Sequence, residues 1–465
     1  MNKIIRTITT STLFTVASFA LAQELNTAYF TDQYTFRHTM NPAFGNDCSY
    51  VSLPALGNAS VSMRGNFGVG DVLFDNPVPG GKSKTTFMNP YLSDSEALAG
   101  FSKGNNKMTA DVRLAILSAG FKALGGYNTI EMNVRSDIGA ALPYELFEFA
   151  RNVGNRSYVF SDIHVRARAY GELALGHSHQ LNEKWRVGGK IKVLMGLGQA
   201  DVLMEDTRVD LSDANQWVMQ TRAQADVSMK GFLFKQKQKE YKQRQGSYDY
   251  IDDIDVDGFG LGGFGLAVDF GGIYKPNDNL MLSAALTDLG FISWSQNAHA
   301  ENIASSFVFD GFHDIDVSDR QHPQSLESQA DNYGDQLADF IHLHDMGNNG
   351  SRTTSLAATL RIGGEYTLPT YKPLSFGLLG TARLGGPFTW AEARLSANWK
   401  PLRWLDGGVS MAVNSFSTNF GWCLNVHPKG LNFFIGMDQF LGKLSKQYIP
   451  LNSNATLTTG INVTF

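Results

Sequence analysis

The sequence predicts an all-β protein, a transmembrane antiparallel β-barrel of about 14 strands whose long extracellular loops carry short helices. Segments along the whole chain alternate apolar and polar residues with a period of two, as strands with one apolar and one polar face do. After the amino-terminal leader, no segment approaches the roughly 20 uninterrupted apolar residues that a membrane helix needs. The final segment, residues 454–465, alternates in the same way and ends on the aromatic Phe465.

The amino end has the pattern of a signal peptide over residues 1–22. Lys3 and Arg6 precede an apolar run, and Ala20-Leu21-Ala22 has the small-x-small form of a cleavage site before Gln23. We therefore expect an exported chain with a segment at 23–48 ahead of one barrel domain at 49–465. An exported chain without a membrane helix can cross a bilayer only as a closed barrel, because closure satisfies every strand amide.

The overall composition agrees with a barrel and argues against nucleic-acid binding. The net charge is -5 and the isoelectric point is near 6.1, so there is no basic excess for a phosphate backbone. The mean hydropathy of -0.18 is that of a chain in which alternation hides the lipid-facing residues. The 47 glycines and 31 phenylalanines suit many strands and aromatic girdles. The expected surroundings are outer-membrane lipid and lipopolysaccharide.

Alternation and turn residues predict the strands in order. Six short turns fall on one rim, and the longest loops of the other rim are the third and fourth, residues 199–259 and 295–352. An even number of strands is needed if both chain ends are to lie at the same rim of an antiparallel barrel. The predicted strands are 50–66, 108–121, 128–139, 161–180, 185–197, 260–274, 280–294, 354–368, 374–384, 388–399, 404–413, 419–426, 431–438 and 454–465.

These features resemble a known family of barrels. The last strand is similar to that of Gram-negative outer-membrane barrels, and an Asn41-Pro42-Ala43 turn before the first strand resembles the hatch of the FadL-like superfamily. The phrases at 265–276 (GLAVDFGGIYKP) and 286–290 (LTDLG) look most like its uncharacterised and type IX secretion-associated relatives. The resemblance implies a hatch across the lumen at 23–48, capture of a ligand by the outer loops, and exit through the side of the barrel.

Charged residues alternate with the apolar ones and are predicted to face the lumen. Both signs occur on neighbouring strands, which favours cross-lumen ion pairs over a pore for a charged substrate. A lumen with this many charges argues against a continuous apolar tunnel through its centre. The predicted lumen-facing residues are Arg113, Arg135, Arg166, Arg168, Glu172, Lys190, Lys192, Arg361, Glu365, Glu392 and Arg394.

The outer loops contain two amphipathic helical patterns and one charged stretch. Apolar residues at helical spacing predict helices at 142–152 and 325–344. The third loop has a basic run at 230–244 that is either a lipopolysaccharide contact or a solvated hairpin. Its acidic run begins like a calcium loop, but the twelfth position is Phe264 where a glutamate is needed, so calcium is only a weak candidate and no other cofactor is expected. The candidate ligands are Asp253, Asp255 and Asp257.

Strings that match enzyme motifs lack the context that their chemistry requires, so we expect no enzyme. The nucleophile-elbow string at 100–104 lies in a Gly/Asn-rich loop, and the dinucleotide string at 258–263 precedes a strand instead of a helix. Cys48 and Cys423 lie in an oxidising compartment and leave two states open, a disulfide or two buried thiols.

Two functional hypotheses follow. The first is an outer-membrane barrel that admits a small hydrophobic or amphipathic compound in the FadL-like manner. The alternative is a non-transporting barrel that serves as an adaptor or anchor for a surface or secretion complex, with the charged loops binding the partner.

Overall fold

A computed structural model describes residues 24–78, 84–213, 215–258, 260–315, 323–439 and 454–465. The predicted signal peptide at 1–22 lies outside these residues. Within them, fourteen strands form a closed ring in which each strand is antiparallel to the next and β14 pairs with β1. The strands are β1 (Tyr50–Ser52 and Ala59–Gly65), β2 (Asn105–Ala123), β3 (Gly126–Pro143), β4 (Ile163–Gln180), β5 (Trp185–Asp210), β6 (Gly263–Asn277), β7 (Leu280–Trp294), β8 (Ala358–Thr367), β9 (Leu374–Leu384), β10 (Trp390–Leu402), β11 (Leu405–Asn414), β12 (Thr418–Val426), β13 (Leu431–Met437) and β14 (Ala455–Thr464).

The outside of the ring is apolar and the inside is polar. Large apolar side chains such as Ile191, Leu395 and Phe420 are each at least 60% exposed on the outer face, whereas charged neighbours such as Lys192 and Arg394 are buried inside. This is the reverse of a water-soluble protein and the arrangement of a barrel in the outer membrane. No helix in the described part of the chain is long and apolar enough to cross a membrane.

All fourteen predicted strands are present. The features behind the FadL-like resemblance are present too: the strand number, a segment inside the lumen ahead of β1, and dominant third and fourth outer loops. The prediction of a closed antiparallel barrel of 14 strands is therefore confirmed. The strand bounds differ most for β5, which continues to Asp210 because its outer part pairs with strands of the third loop.

The first strand, predicted to be continuous, is interrupted at residues 53–58. The register moves from Ser52 opposite Asn462 to Ala59 opposite Thr459, so the intervening residues bulge out of the ladder. Pro54 has no amide hydrogen to give to a ladder, and Leu56 is exposed on the outer face. The bulge still receives a hydrogen bond from Ile461 N to Leu56 O at 2.9 Å, so the neighbouring strands remain connected through it.

The outer loops are mostly further β-structure. The predicted helices at 142–152 and 325–344 are present with shorter bounds, as α4 and α5 in the following list. The helices are α1 (Arg37–Met40), α2 (Val69–Val72), α3 (Asp94–Ala97), α4 (Tyr144–Arg151) and α5 (Leu326–Ile341), with 3₁₀ turns at Asn26–Ala28 and Gly386–Phe388. The additional strands are Leu73–Asp75, Lys84–Thr86, Ser157–Val159, Trp217–Met229, Phe232–Glu240, Ser247–Val256, Ala298–Asn302, Ser306–Phe309, Leu343–Asn348 and Arg352–Ser355.

Candidate functional site

The lumen is occupied by the segment at 24–49, which we call the plug. Its apolar side chains are buried: Leu25, Tyr29, Phe36 and Met40 are each no more than 1% exposed. They pack against inward rings of the wall, such as Phe434, whose ring lies 4.8 Å edge-on from that of Tyr34. The rim with the short turns is periplasmic in barrels of this kind. The plug therefore fills the periplasmic part of the lumen with an aromatic core.

The predicted Asn41-Pro42-Ala43 turn is seated against two glycines of the wall. The Asn41 side chain accepts a hydrogen bond from Ala43 N at 2.9 Å, which fixes the turn. A Cβ built on Gly188 of β5 would stand 2.1 Å from Pro42 O, and one on Gly271 of β6 would stand 2.0 Å from Asn41 Oδ1. Any side chain at either position would displace the turn, so these glycines are part of the seat.

The two ends of the plug are fixed by hydrogen bonds to the carboxyl-terminal part of the chain. At its start, the Asp438 carboxylate accepts from Asn26 N at 2.8 Å and from Thr27 N and Thr27 Oγ1 at 2.7 Å. At its end, Ser49 N donates to Phe465 O at 3.1 Å and Phe465 N donates to Ser49 O at 3.0 Å. The plug is thus joined to the wall at the ends of the last two strands, β13 and β14.

A layer of ion pairs crosses the lumen above the plug, on the side of the outer loops. Glu24, at the start of the plug, contacts Arg113 at 2.5 Å and Arg361 at 2.6 Å. Lys192 lies 2.7 Å from Asp269 and 2.6 Å from Asp288. We call the following eight residues the central network; four are cationic and four are carboxylates, so their charges balance: Glu24, Arg113, Arg135, Glu172, Lys192, Asp269, Asp288 and Arg361.

The predicted lumen-facing residues fall into three groups. Arg113, Arg135, Glu172, Lys192 and Arg361 belong to the central network. Four contact other partners inside the ring: Lys190 with Glu131, Arg168 with Asp137, and Arg394 with Glu392. The other two lie toward the ends, where Arg166 Nε is 2.7 Å from Asp201 and Glu365 accepts from Ser375 at 2.6 Å.

Asp288, Glu24 and Asp438 are interior carboxylates that were not predicted. Asp288 has a left-handed backbone with φ of 61°, which turns its side chain inward out of the regular alternation of β7. Glu24 lies ahead of the strands, where a two-residue period assigns no face, whereas Asp438 continues the inward positions of the predicted strand 431–438 just past the end of β13. A pattern search could have found Asp288 only by allowing for a bulge.

A cavity of about 160 Å³ opens above the central network, and we call it the outer-mouth pocket. Its apolar wall includes Leu356, Phe388 and Trp390, and Trp390 is 2% exposed. Its polar wall is formed by three arginines, each held by a carboxylate: Arg166 by Asp201 at 2.7 Å, Arg168 by Asp137 at 3.0 Å and Arg383 by Asp111 at 2.8 Å. The pocket is therefore amphipathic.

The charged third loop forms a hairpin whose charges largely neutralise each other. Lys235 lies 3.0 Å from Asp255 and Lys242 lies 2.7 Å from Asp331, which leaves a weaker basic patch for lipopolysaccharide than the sequence suggests. The weak calcium candidate is not supported, because Asp253 and Asp255 lie on the strand Ser247–Val256 instead of a loop, and Asp257 follows its end. Among the residues that the structure describes, no group of three or more His, Cys, Asp or Glu side chains is placed to hold a metal ion.

The disulfide left open by the sequence is not formed. Cys423 is buried, with its Sγ 3.5 Å from Thr31 Oγ1 of the plug, whereas Cys48 is exposed beyond the plug core. Because the plug lies over Cys423, we predict that Cys48 alone reacts rapidly with a maleimide in the folded protein. Both thiols should react after denaturation without reductant, and mass spectrometry should count them. One labelled site in the denatured chain would contradict the prediction.

Comparison with solved structures finds barrels of low sequence identity. Similar solved structures include the Pseudomonas putida toluene transporter TodX, at 10% identity and a TM-score of 0.40 over 97% of this chain and 95% of that one. The Ralstonia pickettii toluene transporter TbuX has 8% identity and a TM-score of 0.37, over 92% and 91%. A Pseudomonas aeruginosa FadL homologue has 9% identity and a TM-score of 0.38, over 96% and 99%.

Among curated proteins, none matches the sequence. One family does match, over residues 42–438, and this range begins inside the plug at Pro42 and extends to the carboxylate of Asp438 that fixes the plug. The range includes thirteen of the fourteen strands, from β1 to β13. Since the match covers most of the chain, the protein belongs to the family described as Family of unknown function (DUF5723).

Proposed function

We propose that this outer-membrane barrel admits a small amphipathic compound, with an apolar body and an anionic head, under the control of the plug. The outer-mouth pocket is the observation that carries the proposal. The apolar body would contact Leu356, Phe388 and Trp390. The anionic head would accept hydrogen bonds from those guanidinium N–H groups of the arginines that are not bonded to their carboxylate partners. Arg166 lies 5.6 Å from the centre of the Phe388 ring, so the apolar and the charged contacts lie side by side in the pocket.

The central network and the plug together close the straight path below the pocket. Crossing the network would require a compound to separate buried ion pairs, which is costly when one partner of each pair is left uncompensated. The compound must therefore wait for plug movement or leave through the wall. The bulge at 53–58, where β1 leaves the regular ladder, lies on the plug side of Arg113 and would offer a sideways exit to a compound that had passed the network.

Uptake of labelled probes by liposomes containing the protein tests this function. We predict that Arg383→Met reduces uptake of an anionic amphipathic probe about tenfold, since a charge-assisted hydrogen bond contributes about 1.5–3 kcal/mol. Uptake of an uncharged probe of equal size should change less than threefold. Arg208→Met is the matched control, because Arg208 pairs with Asp210 at 2.6 Å but lies outside the pocket.

Deletion of residues 24–48 tests the role of the plug as a hatch. If the plug controls passage, the deletion should change probe uptake strongly while the barrel still assembles. Equal uptake by all variants and by empty liposomes would reject the transport function.

The second candidate is the adaptor or anchor for a surface or secretion complex. The balanced central network and the filled lumen favour this function, because a barrel that does not transport needs no open path through its lumen. The folded hairpin of Phe232–Glu240 and Ser247–Val256 would then contact the partner. Absence of plug-dependent uptake, combined with a partner that co-purifies and is lost when the hairpin is shortened, would select this function.

A further inference from the structure

A chain of buried polar side chains joins the plug to the wall at one place. Lys190 Nζ lies 3.0 Å from His38 Nδ1, and His38 Nε2 lies 2.8 Å from Tyr50 Oη. Tyr50 Oη lies in turn 2.7 Å from Ser118 Oγ. Glu131 contacts Lys190 and lies 3.2 Å from His38 Nδ1. All five residues are no more than 3% exposed, and we call them the latch.

Burial and the contact with the Lys190 ammonium favour a neutral His38 in the latch. The Lys190 ammonium can only donate, so its contact with His38 Nδ1 needs a lone pair on that nitrogen. The imidazole proton is then on Nε2, where it donates to Tyr50 Oη, and the tyrosine hydroxyl is free to donate to Ser118 Oγ. In this tautomer each member of the chain donates once to the next, and the Lys190 ammonium keeps both His38 Nδ1 and Glu131 as acceptors.

Protonation of His38 would add a second buried cation. With neutral His38, the charges of Lys190 and Glu131 cancel. A proton on Nδ1 would remove the acceptor that Lys190 uses and place two cations 3.0 Å apart with one carboxylate between them. The other charge near the latch, Arg113, is also cationic and is already paired with Glu24 and Glu172. In the described part of the wall, Glu131 is the one carboxylate within ion-pair distance of His38.

We propose that His38 is an acid-sensitive latch that releases the plug when it takes up a proton. The closed plug binds neutral His38, and a loosened plug exposes the imidazole to water, where it takes up a proton near its ordinary pKa of about 6.5. The latch therefore holds fully above that pH and weakens as the pH falls below it. This inference concerns the plug alone and does not depend on whether the barrel admits a compound.

Lys190 sets the direction of the response. In Lys190→Gln the competing cation is gone, and a protonated His38 faces Glu131 directly across 3.2 Å. In this variant, protonation of His38 at low pH would pair the imidazolium with Glu131, whose charge is otherwise uncompensated. The same histidine should therefore tighten the plug in acid in this variant, which reverses the sign of the pH dependence.

The buried thiol of Cys423 reports on the plug, because it lies against Thr31 at 3.5 Å. In a Cys48→Ser background, the rate of Cys423 labelling by a small methanethiosulfonate is measured in detergent at pH 7.5 and pH 5. Each rate is divided by the rate for the same Cys48→Ser protein carrying His38→Gln, measured at the same pH, which removes the intrinsic pH dependence of the reagent. Glutamine can accept from Lys190 and donate to Tyr50 but cannot be protonated in this range.

The expected ratio rises by up to about thirtyfold from pH 7.5 to pH 5 for His38, because pH 5 lies about 1.5 units below the ordinary imidazole pKa and each unit of linked protonation changes the opening equilibrium by up to about tenfold. His177→Gln should behave like the parent, because His177 bonds Asn128 outside the latch. Lys190→Gln should show the opposite trend. Equal ratios at both pH values overturn the proposal, as does fast labelling of His38→Gln at both. If His38→Gln does not fold, the sign of the Lys190→Gln response against the parent decides the matter.

Discussion

Replacing Lys192 by methionine should lower the free energy of unfolding by about 3–5 kcal/mol, the usual cost of leaving buried charges without their partner. Lys192 is 2% exposed and contacts both Asp269 and Asp288 within 2.7 Å. Without it, the central network has four carboxylates and three cations. Urea unfolding in detergent micelles, followed by the mobility difference between folded and unfolded barrels on gels, measures the change.

Lys84→Met is the matched control for Lys192→Met. Lys84 also contacts an aspartate, at 2.8 Å, but the lysine and aspartate side chains are 51% and 91% exposed. An exposed pair of this kind contributes less than about 1 kcal/mol. A loss of similar size in both variants would show that the central network is hydrated, and would contradict its description as a buried layer.

Gly188→Ala should unseat the plug without opening the wall. The added Cβ would lie 2.1 Å from Pro42 O and 2.6 Å from Ala43 N, which are backbone atoms that cannot rotate away. Overpacking of this kind typically costs about 1–3 kcal/mol, so labelling of Cys423 in the Cys48→Ser background should accelerate about tenfold or more. The rate of thiol labelling in the folded protein measures the effect.

Gly189→Ala provides the control for Gly188→Ala. It makes the same change one residue along β5, where the nearest atom to a Cβ is Asp269 O at 3.6 Å. The cost of replacing glycine in a strand is common to both variants, so only the clash differs. Equal labelling rates in the two variants would mean that the Asn41-Pro42-Ala43 turn is not held against the wall.

The sequence was informative wherever a two-residue period runs without interruption. Lys190, Lys192 and Arg394 could be assigned to the lumen because each alternates with apolar residues that face lipid. The same rule failed where the backbone leaves the period. It missed Asp288 at a bulge, and it predicted β1 as continuous although four extra residues stand opposite β14 between Ser52 and Ala59.

The interior contacts of the plug were beyond the reach of local patterns. The turn at Asn41-Pro42-Ala43 is visible in the sequence, but its seat on Gly188 and Gly271 joins residues more than 140 positions apart. The latch was hidden for the same reason, because His38 is a single histidine in a segment without periodicity. Long-range pairs of this kind depend on the register of the closed ring, which no short segment specifies.

The hydrogen bonds between Ser49 and Phe465 have a consequence for how the molecule is assembled. They unite residues separated by 416 positions, so this joint cannot form until β14 and Phe465 have been exported. The β1–β14 seam of the barrel and the carboxyl end of the plug therefore form together. Removal of Phe465 would eliminate both hydrogen bonds to Ser49, and loss of β14 would open the seam and expose unpaired strand edges to neighbouring chains.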